Sequence, residues 1–329
     1  MIPYAKIITY QLQKLEINNI PVSGVQSVSL DTSYNVSTVR SKYTPFGTSA
    51  TSLMYQKPDV SVSITKFLSD NVLPVVLDSR ILNSYNEIGM PTDILPTGNY
   101  AQPIDISVKI LDSEGSNSQS GIIGFKIKDA IINSLTYNFS VDGNFEEQMT
   151  FSSHIIESGN ITEKFKEIED DSYSFHTGIV KRRKDFYISK IPNELSQILS
   201  NGSILTSVNF SIGFSYGQIP SYGAFHSFGD KYIQYPYDIT CTFEVVDRGF
   251  INKSSSSGFV SNLNEHIVSE VIISDEIEFG ITDYMNIYIG SGTYLQGRNR
   301  NGGDAGSNSY ATYSYTYKQQ NSDFNISLL

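Results

Sequence analysis

The chain has one cysteine, no tryptophan and few cations among its 329 residues. The single cysteine, Cys241, excludes an intramolecular disulfide and any metal site built on several cysteines. Lysine and arginine number 23 against 34 aspartates and glutamates, so the formal net charge is −11. No global basic surface is left to neutralise phosphates, which argues against a protein that reads nucleic-acid sequence.

Export signals and long apolar runs are also missing. The N-terminus, Met1-Ile2-Pro3-Tyr4, lacks a basic stretch followed by a continuous apolar run. No later segment approaches the roughly 18 apolar residues of a membrane-spanning helix. We therefore expect a soluble chain with no membrane segment.

Recognisable chemical motifs are absent as well. The four histidines, His154, His176, His226 and His266, are far apart and lack a second ligand at metal-binding spacing. The chain has no nucleophile elbow, phosphate-binding loop or clean dinucleotide fingerprint. These patterns predict no catalytic residues, no metal and no cofactor, and hence a protein that is not an enzyme.

The residues that are abundant favour β-strands. Hydrophobic residues make up 39% and charged residues 17% of the chain, with 22 tyrosines and 18 phenylalanines. Aromatic and β-branched side chains pack well on a pleated sheet, while the residues that build helices are few. The composition predicts a mainly β fold.

A repeated unit is visible in the order of the strands. Residues 27–36 and 207–216 both alternate polar and larger side chains, as half-buried strands do. Each is followed by a long loop with an aromatic-glycine pair, then a proline, then a second alternating strand, at 60–65 and 239–245. The order recurs about 180 residues later, which predicts a duplicated unit. Cys241 falls on the apolar side of its strand and is predicted to be a core residue.

Each half continues with further elements. A hairpin is predicted around the Asp142-Gly143 turn, and a second one at the C-terminus, where Tyr313–Tyr317 precedes Phe324 and Ile326. The other predicted elements are two helices, Asn71–Leu77 and Val260–Val268, and two strands, Ile104–Leu111 and Val271–Phe279.

These elements suggest three divisions of the chain: a first β domain at 1–165, a charged linker at 166–190 and a second β domain at 191–329. The glycine-rich tract Gly290–Ser309 is predicted to be a flexible insertion. Lys181–Lys184 could hold a phosphate, but docking against an acidic neighbour is preferred. Asp142, Glu146 and Glu147 are expected to be solvated turn residues rather than paired catalytic carboxylates.

The order of elements, and above all the segment Ile131-Ile132-Asn133-Ser134-Leu135-Thr136-Tyr137-Asn138-Phe139-Ser140-Val141-Asp142-Gly143-Asn144-Phe145-Glu146-Glu147, resembles the tail tube proteins of tailed bacteriophages. The resemblance implies two tandem tube-like β-barrel or sandwich domains, each with a short flanking helix. Proteins of that family assemble into stacked rings, in which the inner strands of neighbouring subunits form a continuous cylinder. Because this chain carries the unit twice, three copies would close a ring of pseudo-six-fold symmetry.

The resemblance also assigns roles to segments. The loops that reach the adjacent ring would be Thr38–Met54 and Gln218–Lys231, and their candidate contact residues are Arg40, Lys42, Phe46, Tyr55, Tyr222, Phe228 and Lys231. The candidate inter-subunit strands are Ser27–Val36, Val60–Phe67, Ser207–Tyr216 and Ile239–Val246.

The polar faces of these strands are predicted to face the lumen of the tube. The predicted lumen-facing residues are Ser27, Ser29, Asp31, Ser33, Asn35, Ser61, Ser63, Thr65, Ser207, Asn209, Ser211, Thr240, Thr242 and Glu244. Such a wall is small, hydrated and nearly free of cations, so DNA passing it would find few lysines or arginines to bind.

The resemblance implies a structural virion protein, a tail tube subunit that conducts genomic DNA during ejection. Its partners would be its own copies, other tail proteins and passing DNA that is not bound sequence-specifically. It would be made in the host cytoplasm and reside in the virion tail. Two alternatives are a baseplate hub or other tube-like ring protein, and a carbohydrate-binding, adhesin-like β protein that uses tyrosine-rich loops such as Tyr216–Tyr237.

Overall fold

The computed structural model describes residues 13–40, 51–70, 72–78, 81, 102–110, 123–160, 179–200, 202–218, 231–246, 275–301, 312–319 and 324–329. Fifteen strands dominate this part of the chain, so the mainly β prediction is confirmed. The strands of the first half are β1 (Gln13–Ile17), β2 (Ile20–Val22), β3 (Val25–Arg40), β4 (Thr51–Phe67), β5 (Ile104–Ile110), β6 (Ile123–Ser140), β7 (Glu146–Ser153) and β8 (Ile155–Asn160). Those of the second half are β9 (Phe186–Lys190), β10 (Ile204–Gln218), β11 (Lys231–Val246), β12 (Asp275–Ile281), β13 (Met285–Asn301), β14 (Thr312–Gln319) and β15 (Phe324–Leu328). Helix α1 spans Asn193–Ser200.

The first half consists of two antiparallel sheets that share one long strand, β6. The first part of β6 pairs with β5 and β8, and β5 continues to β1 and β2. The second part of β6 pairs with β7, which continues to β4 and β3. One strand thus connects the two layers.

The second half has the same pairing scheme around β13. The first part of β13 pairs with β12 and β15, and β12 continues to β9. The second part pairs with β14, which continues to β11 and β10. Strands β3, β4, β7 and β6 therefore correspond to β10, β11, β14 and β13, and β1, β5 and β8 correspond to β9, β12 and β15.

The irregularities of the sheets also recur at corresponding places. Register shifts interrupt β3–β4 at Val25/Ser27 and Tyr34/Val36, and β10–β11 at Leu205/Ser207 and Gly213/Ser215. The β6–β7 pair shifts at Ile132/Ser134 and the β13–β14 pair at Leu295/Gly297. Bulges bend a strand at a defined position, so the strands of the two halves are bent at corresponding positions.

The point at which the long strand changes sheets is also the same in both halves. Asp129 in β6 has φ 51° and Gly292 in β13 has φ 105°, and each lies three residues before the register shift of its strand. Positive φ is the conformation that glycine tolerates best and that aspartate adopts more readily than most residues. A kink at this position lets one strand serve two layers.

The two halves are joined by direct pairing of β6 with β10, from Ser140↔Ser207 to Ser134↔Gly213. This pairing produces a continuous eight-stranded antiparallel sheet in the order β3-β4-β7-β6-β10-β11-β14-β13, which we call the long sheet. Pairing among the described strands does not close on itself. The barrel option of the predicted fold is therefore wrong for this part of the chain.

One face of the long sheet is packed into the core. Alternate residues such as Val62, Phe151, Leu135, Phe210 and Phe243 are at most 1% exposed. At the junction of the halves, the ring of Phe139 lies 5.7 Å from that of Phe279. The buried aromatic rings there contact each other edge to face, so the core is continuous across the junction.

Some predicted elements differ from the observed ones. The hairpin around Asp142-Gly143 is confirmed as β6–β7, and a strand is present at Ile104–Ile110. The C-terminal hairpin is wrong, because β15 pairs with β13 and β14 lies on the other part of that strand. The glycine-rich tract is not an irregular insertion up to residue 301, since its first part belongs to β13.

The observed helices and the linker region also differ from the predicted ones. Of the predicted helix Asn71–Leu77, the structure describes residues 72–77, and among these Val75–Leu77 form a short 3-10 turn that follows Pro74. Val260–Val268 lie outside the described residues. Helix α1 was missed, although Leu195, Ile198 and Leu199 have helical spacing. Residues 186–190, assigned to the linker, form β9, while the three domain boundaries stay a prediction.

A buried ion pair connects neighbouring strands in the core of the first half. Lys66 and Glu147 are direct cross-strand partners on β4 and β7, 1% and 0% exposed, with Nζ and Oε2 3.6 Å apart. The Glu147 carboxylate also accepts hydrogen bonds from the Tyr137 hydroxyl at 2.9 Å and the Val75 backbone N–H at 3.1 Å. Lys66 donates a further hydrogen bond to the Leu73 carbonyl oxygen.

Replacing Lys66 with methionine is expected to lower the free energy of unfolding by about 3–5 kcal/mol, because a buried carboxylate is left without its cation. The double variant Lys66→Met/Glu147→Gln should be less destabilised than Lys66→Met alone, since glutamine has no charge to bury. Urea unfolding of the wild type, both single variants and the double variant measures this coupling. Additive effects of the two substitutions would contradict it.

Alkaline pH is expected to unfold the protein through its buried tyrosines. Burial raises the pKa of Tyr137, Tyr216 and Tyr284, and the nearby Glu147 carboxylate raises those of Tyr137 and Tyr284 further. Above pH about 10 these hydroxyls ionise in the unfolded chain but stay protonated in the folded one, so stability falls as pH rises. Urea unfolding at increasing pH should show this slope, reduced in Tyr216→Phe. An unchanged slope would contradict the assignment.

Candidate functional site

The candidate site is the side of the long sheet that points away from the core, which we call the polar face. One row of cross-strand partners passes through all eight strands: Ser27, Thr65, Gln148, Thr136, Ser211, Thr240, Lys318 and Tyr294. The next row on this side contains Glu146, Asn138, Asn209, Thr242 and Thr316. Both rows arise because polar residues occupy every second position of each strand.

Hydrogen bonds between neighbouring side chains connect the strands on this face. The Thr136 hydroxyl donates to Ser211 Oγ at 3.2 Å, across the junction of the two halves. The hydroxyls of Thr242 and Thr316 lie 3.2 Å apart, and Ser207 donates to Glu244 Oε2 at 2.8 Å. Such cross-strand pairs hold short side chains flat against the sheet and give a smooth, hydrated surface.

The charge of the polar face is mainly negative. Asp31, Glu146, Asp238 and Glu244 lie on it. Among the residues of this face whose side chains the structure describes, Lys318 is the one lysine or arginine, and its Nζ lies 2.5 Å from Asp238 Oδ1. A polyanion next to this surface would find no unneutralised cation in its described part.

The structure brings the predicted lumen-facing residues together. Those on β3, β4, β10 and β11 share this one face, except that the side chain of Asn35 lies outside the described residues. Residues that the prediction omitted complete the surface: Thr136, Asn138, Gln148, Thr150, Ser314 and Thr316. Their alternation was visible in the sequence, but the neighbours of their strands were not. That this face lines a lumen stays a prediction.

The long sheet ends in two edges, β3 and the second part of β13. Among the described strands, β3 pairs with β4 alone, and residues 294–301 of β13 pair with β14 alone. Three of the four candidate inter-subunit strands already have a neighbouring strand on both sides within the chain: Val60–Phe67, Ser207–Tyr216 as far as Gly213, and Ile239–Val246 from Thr240 onward. Ser27–Val36 in β3 is the candidate that has a free side, and the edge of β13 was not foreseen.

The predicted inter-ring loops are only partly described. Arg40 ends β3, Tyr55 lies in β4 opposite Val36, and Lys231 begins β11, so the flanking strands extend into the predicted loops. Lys42, Phe46, Tyr222 and Phe228 lie outside the described residues. Contact with an adjacent ring stays a prediction for all seven.

The groups considered for chemistry are built into the fold. Cys241 is buried, and burial raises the pKa of its thiol. Glu147 is not a solvated turn residue, because strand alternation turns it inward to Lys66. Lys181 is buried, forms an ion pair with Asp70 and lies 5.6 Å from the Tyr284 ring centre, while Arg182–Lys184 are exposed.

The described ranges contain neither a candidate metal centre nor a candidate membrane-spanning helix. His, Cys, Asp and Glu residues there form no group of three or more that could hold a metal ion. No helix in that part of the chain has the length and apolar character needed to span a membrane.

No protein-family model and no curated protein sequence matches the chain. Solved structures that are similar to about half of it include the sheath/tube terminator of the extracellular contractile injection system PVC in its extended state, with 15% identity, 47% of this chain and 99% of that chain covered and a TM-score of 0.35. The tube-terminating cap of the anti-feeding prophage AFP has 15% identity, 48% and 96% coverage and a TM-score of 0.35. The PVC sheath-tube complex in its extended state has 15% identity, 48% and 95% coverage and a TM-score of 0.34. At these identities and TM-scores the similarity assigns neither a family nor a function, so function has to be argued from the geometry of this chain.

Proposed function

We propose that this protein is a structural subunit of a tail tube, which assembles into stacked rings, three chains to a ring, and forms the conduit for genomic DNA. The observation that carries the proposal is the polar face together with its two free edges. The sheet has eight strands and is polar on one side, and each of its end strands lacks a second neighbour among the described strands, so it is suited to extension by further copies. Repetition of such a head-to-tail contact forms a ring when the rotation from one copy to the next closes after a whole number of copies.

The side of the sheet that would form the inner wall follows from burial. The opposite side is filled by apolar residues such as Phe210 and Phe243, which pack into the core of the chain. The polar face is therefore the side left for water and for a passing molecule. Its hydroxyls and amides offer hydrogen bonds to water, while its acids repel phosphates.

The protein would be made in the host cytoplasm and function in the virion tail, in contact with its own copies and with other tail proteins. DNA would pass the wall without sequence-specific binding. No part of this role requires a catalytic residue, so the proposal describes a protein that is not an enzyme.

Assembly is the first test of this function. At high protein concentration, negative-stain microscopy is expected to show rings or stacked tubes with a central channel. Analytical ultracentrifugation should show the corresponding large species. A chain that remains strictly monomeric at all concentrations would contradict the proposal.

The addition of positive charge to the polar face is the second test. The variant Asn209→Lys/Thr242→Lys adds two cations to the polar face, and assembled particles should then retain DNA at low salt, while wild-type particles do not. Each new phosphate contact should steepen the salt dependence of the logarithm of the binding constant by about 0.9.

A matched control carries the same charge elsewhere. Ser200→Lys/Asn325→Lys places two lysines at exposed positions of α1 and β15, away from the polar face. This control is expected to bind DNA less than the wall variant in a filter or gel assay. Equal retention by both variants would mean that the polar face does not meet the DNA.

A further inference from the structure

We propose that the edge of β3 in one copy pairs antiparallel with the second part of β13 in another copy, in a register set by the β6–β10 junction. This inference rests on the proposed function and names the partner and the contact of the two free edges. The partner is a second copy of this chain. We call the contact the intermolecular seam.

The template for the seam is present within the chain. Strand β10 corresponds to β3, and β6 corresponds to β13, by their places in the two pairing schemes. Within the chain, β10 pairs with the second part of β6 over seven residue pairs. Within the described chain β3 and β13 do not pair with each other, and they form the two opposite ends of the long sheet. A second copy can supply this pairing.

The shared bulges convert this template into a register. Ser27 follows the first β3–β4 shift as Ser207 follows the first β10–β11 shift, so Leu30 corresponds to Phe210 and Asp31 to Ser211. Gly297 follows the β13–β14 shift as Ser134 follows the β6–β7 shift, so Asn299 corresponds to Thr136. Because Thr136 pairs with Ser211, the seam pairs Asn299 with Asp31. The same rule pairs Gly297 with Ser33.

Burial on the edge shows which surface the second copy would cover. Leu30 is 36% exposed, whereas its counterpart Phe210 is 0% exposed beside β6. Leu30 points to the core side of the sheet but lies at the edge, with β4 alone beside it among the described strands. A neighbouring strand in the position that β6 has beside Phe210 would cover it.

The charges of the two edges are complementary. Residues 25–33 of β3 contain Asp31 and no lysine or arginine, whereas residues 294–301 of β13 contain Arg298 and Arg300 and no acid. The Arg298 guanidinium lies 5.2 Å from the Tyr313 ring centre and 5.4 Å from that of Tyr315, so it is held at this edge. The two edges carry net charges of opposite sign, so pairing of β3 with β13 avoids the like-charge repulsion between two β13 edges. Asp31 and Arg298 lie on opposite faces of the sheet and form no direct ion pair.

Disulfide trapping tests the register. The variant Asp31→Cys/Asn299→Cys places one thiol on each edge, and under mild oxidation of assembled protein we expect an intermolecular ladder on a non-reducing gel that ends at the trimer. Native Cys241 is buried and does not interfere. The in-chain reference is Thr136→Cys/Ser211→Cys, the corresponding pair of the β6–β10 junction, which should form an intramolecular disulfide.

A control variant keeps the thiol at position 31 and places the second thiol out of the proposed register. In Asp31→Cys/Gly297→Cys the second thiol is displaced by two residues, about 7 Å along the strand, which exceeds disulfide reach. A Cβ at Gly297 would meet no atom within 4 Å, so this substitution fits the described structure. We expect at least about tenfold less intermolecular disulfide than in Asp31→Cys/Asn299→Cys.

The possible results distinguish a failure of the intermolecular seam from a failure of the proposed function. Rings or tubes without the Asp31–Asn299 disulfide, or with equal trapping in the displaced control, would overturn the seam and leave the tube proposal standing. A wild-type chain that forms no assembly would overturn both. A ladder in the predicted register supports both.

Discussion

The unpaired backbone of a strand edge is the constraint on which the rest of this structure depends. Every edge exposes N–H and C=O groups that a further strand can satisfy, and an open sheet has two such edges. In this chain the first half of the long sheet does not end at β6, because β10 of the second half pairs there. The duplication therefore satisfies one edge of each half internally and moves the remaining two to the ends of an eight-stranded sheet.

Bulges and kinks recur at corresponding positions, which explains how the sheet of one half can continue into the sheet of the other. A bulge sets the local twist, and a kink sets the place where a strand passes from one layer to the next. The residue at the kink differs between the halves, Asp129 in β6 and Gly292 in β13, but both have a positive φ. Two halves of equal curvature can continue each other, whereas halves of different curvature would separate after a few pairs.

The sequence predicted what depends on alternation and missed what depends on strand neighbours. The period of two placed the polar and apolar residues of 27–33 and Ser207–Tyr216 on the right sides, because side chains alternate along any strand. The pairing of β15 with β13 instead of β14 carries no local signal, since strand order is decided by packing of the whole sheet. Glycine and arginine in 294–301 suggested an insertion, yet β14 imposes an extended conformation on that segment.

The environment of Glu147 was also mispredicted, because it depends on a strand neighbour that is distant in sequence. Glu147 follows a turn closely enough to suggest a solvated carboxylate, but its position in the alternation of β7 is inward. Only the cross-strand partner Lys66, distant in sequence, makes that position tolerable for a charge. In the second half the corresponding pair is Val245 and Tyr313, which needs no ions. Equivalent core positions have thus reached stability by different chemistry.

In the proposed assembly, the differences between the internal junction and the free edges follow from when each contact forms. The β6–β10 junction forms as the chain folds, so its core side can be as apolar as Leu135, Phe210 and Ile212, all fully buried. Arg298 and Thr32 occupy the places of Leu135 and Ile212 on the free edges. An edge that must wait for a second copy would aggregate indiscriminately if it were equally apolar, and a charge there opposes mispairing. In a ring of three duplicated chains every second junction is already closed within one chain, where no translational entropy is lost on association. The free edges can therefore be polar and still suffice for a closed ring.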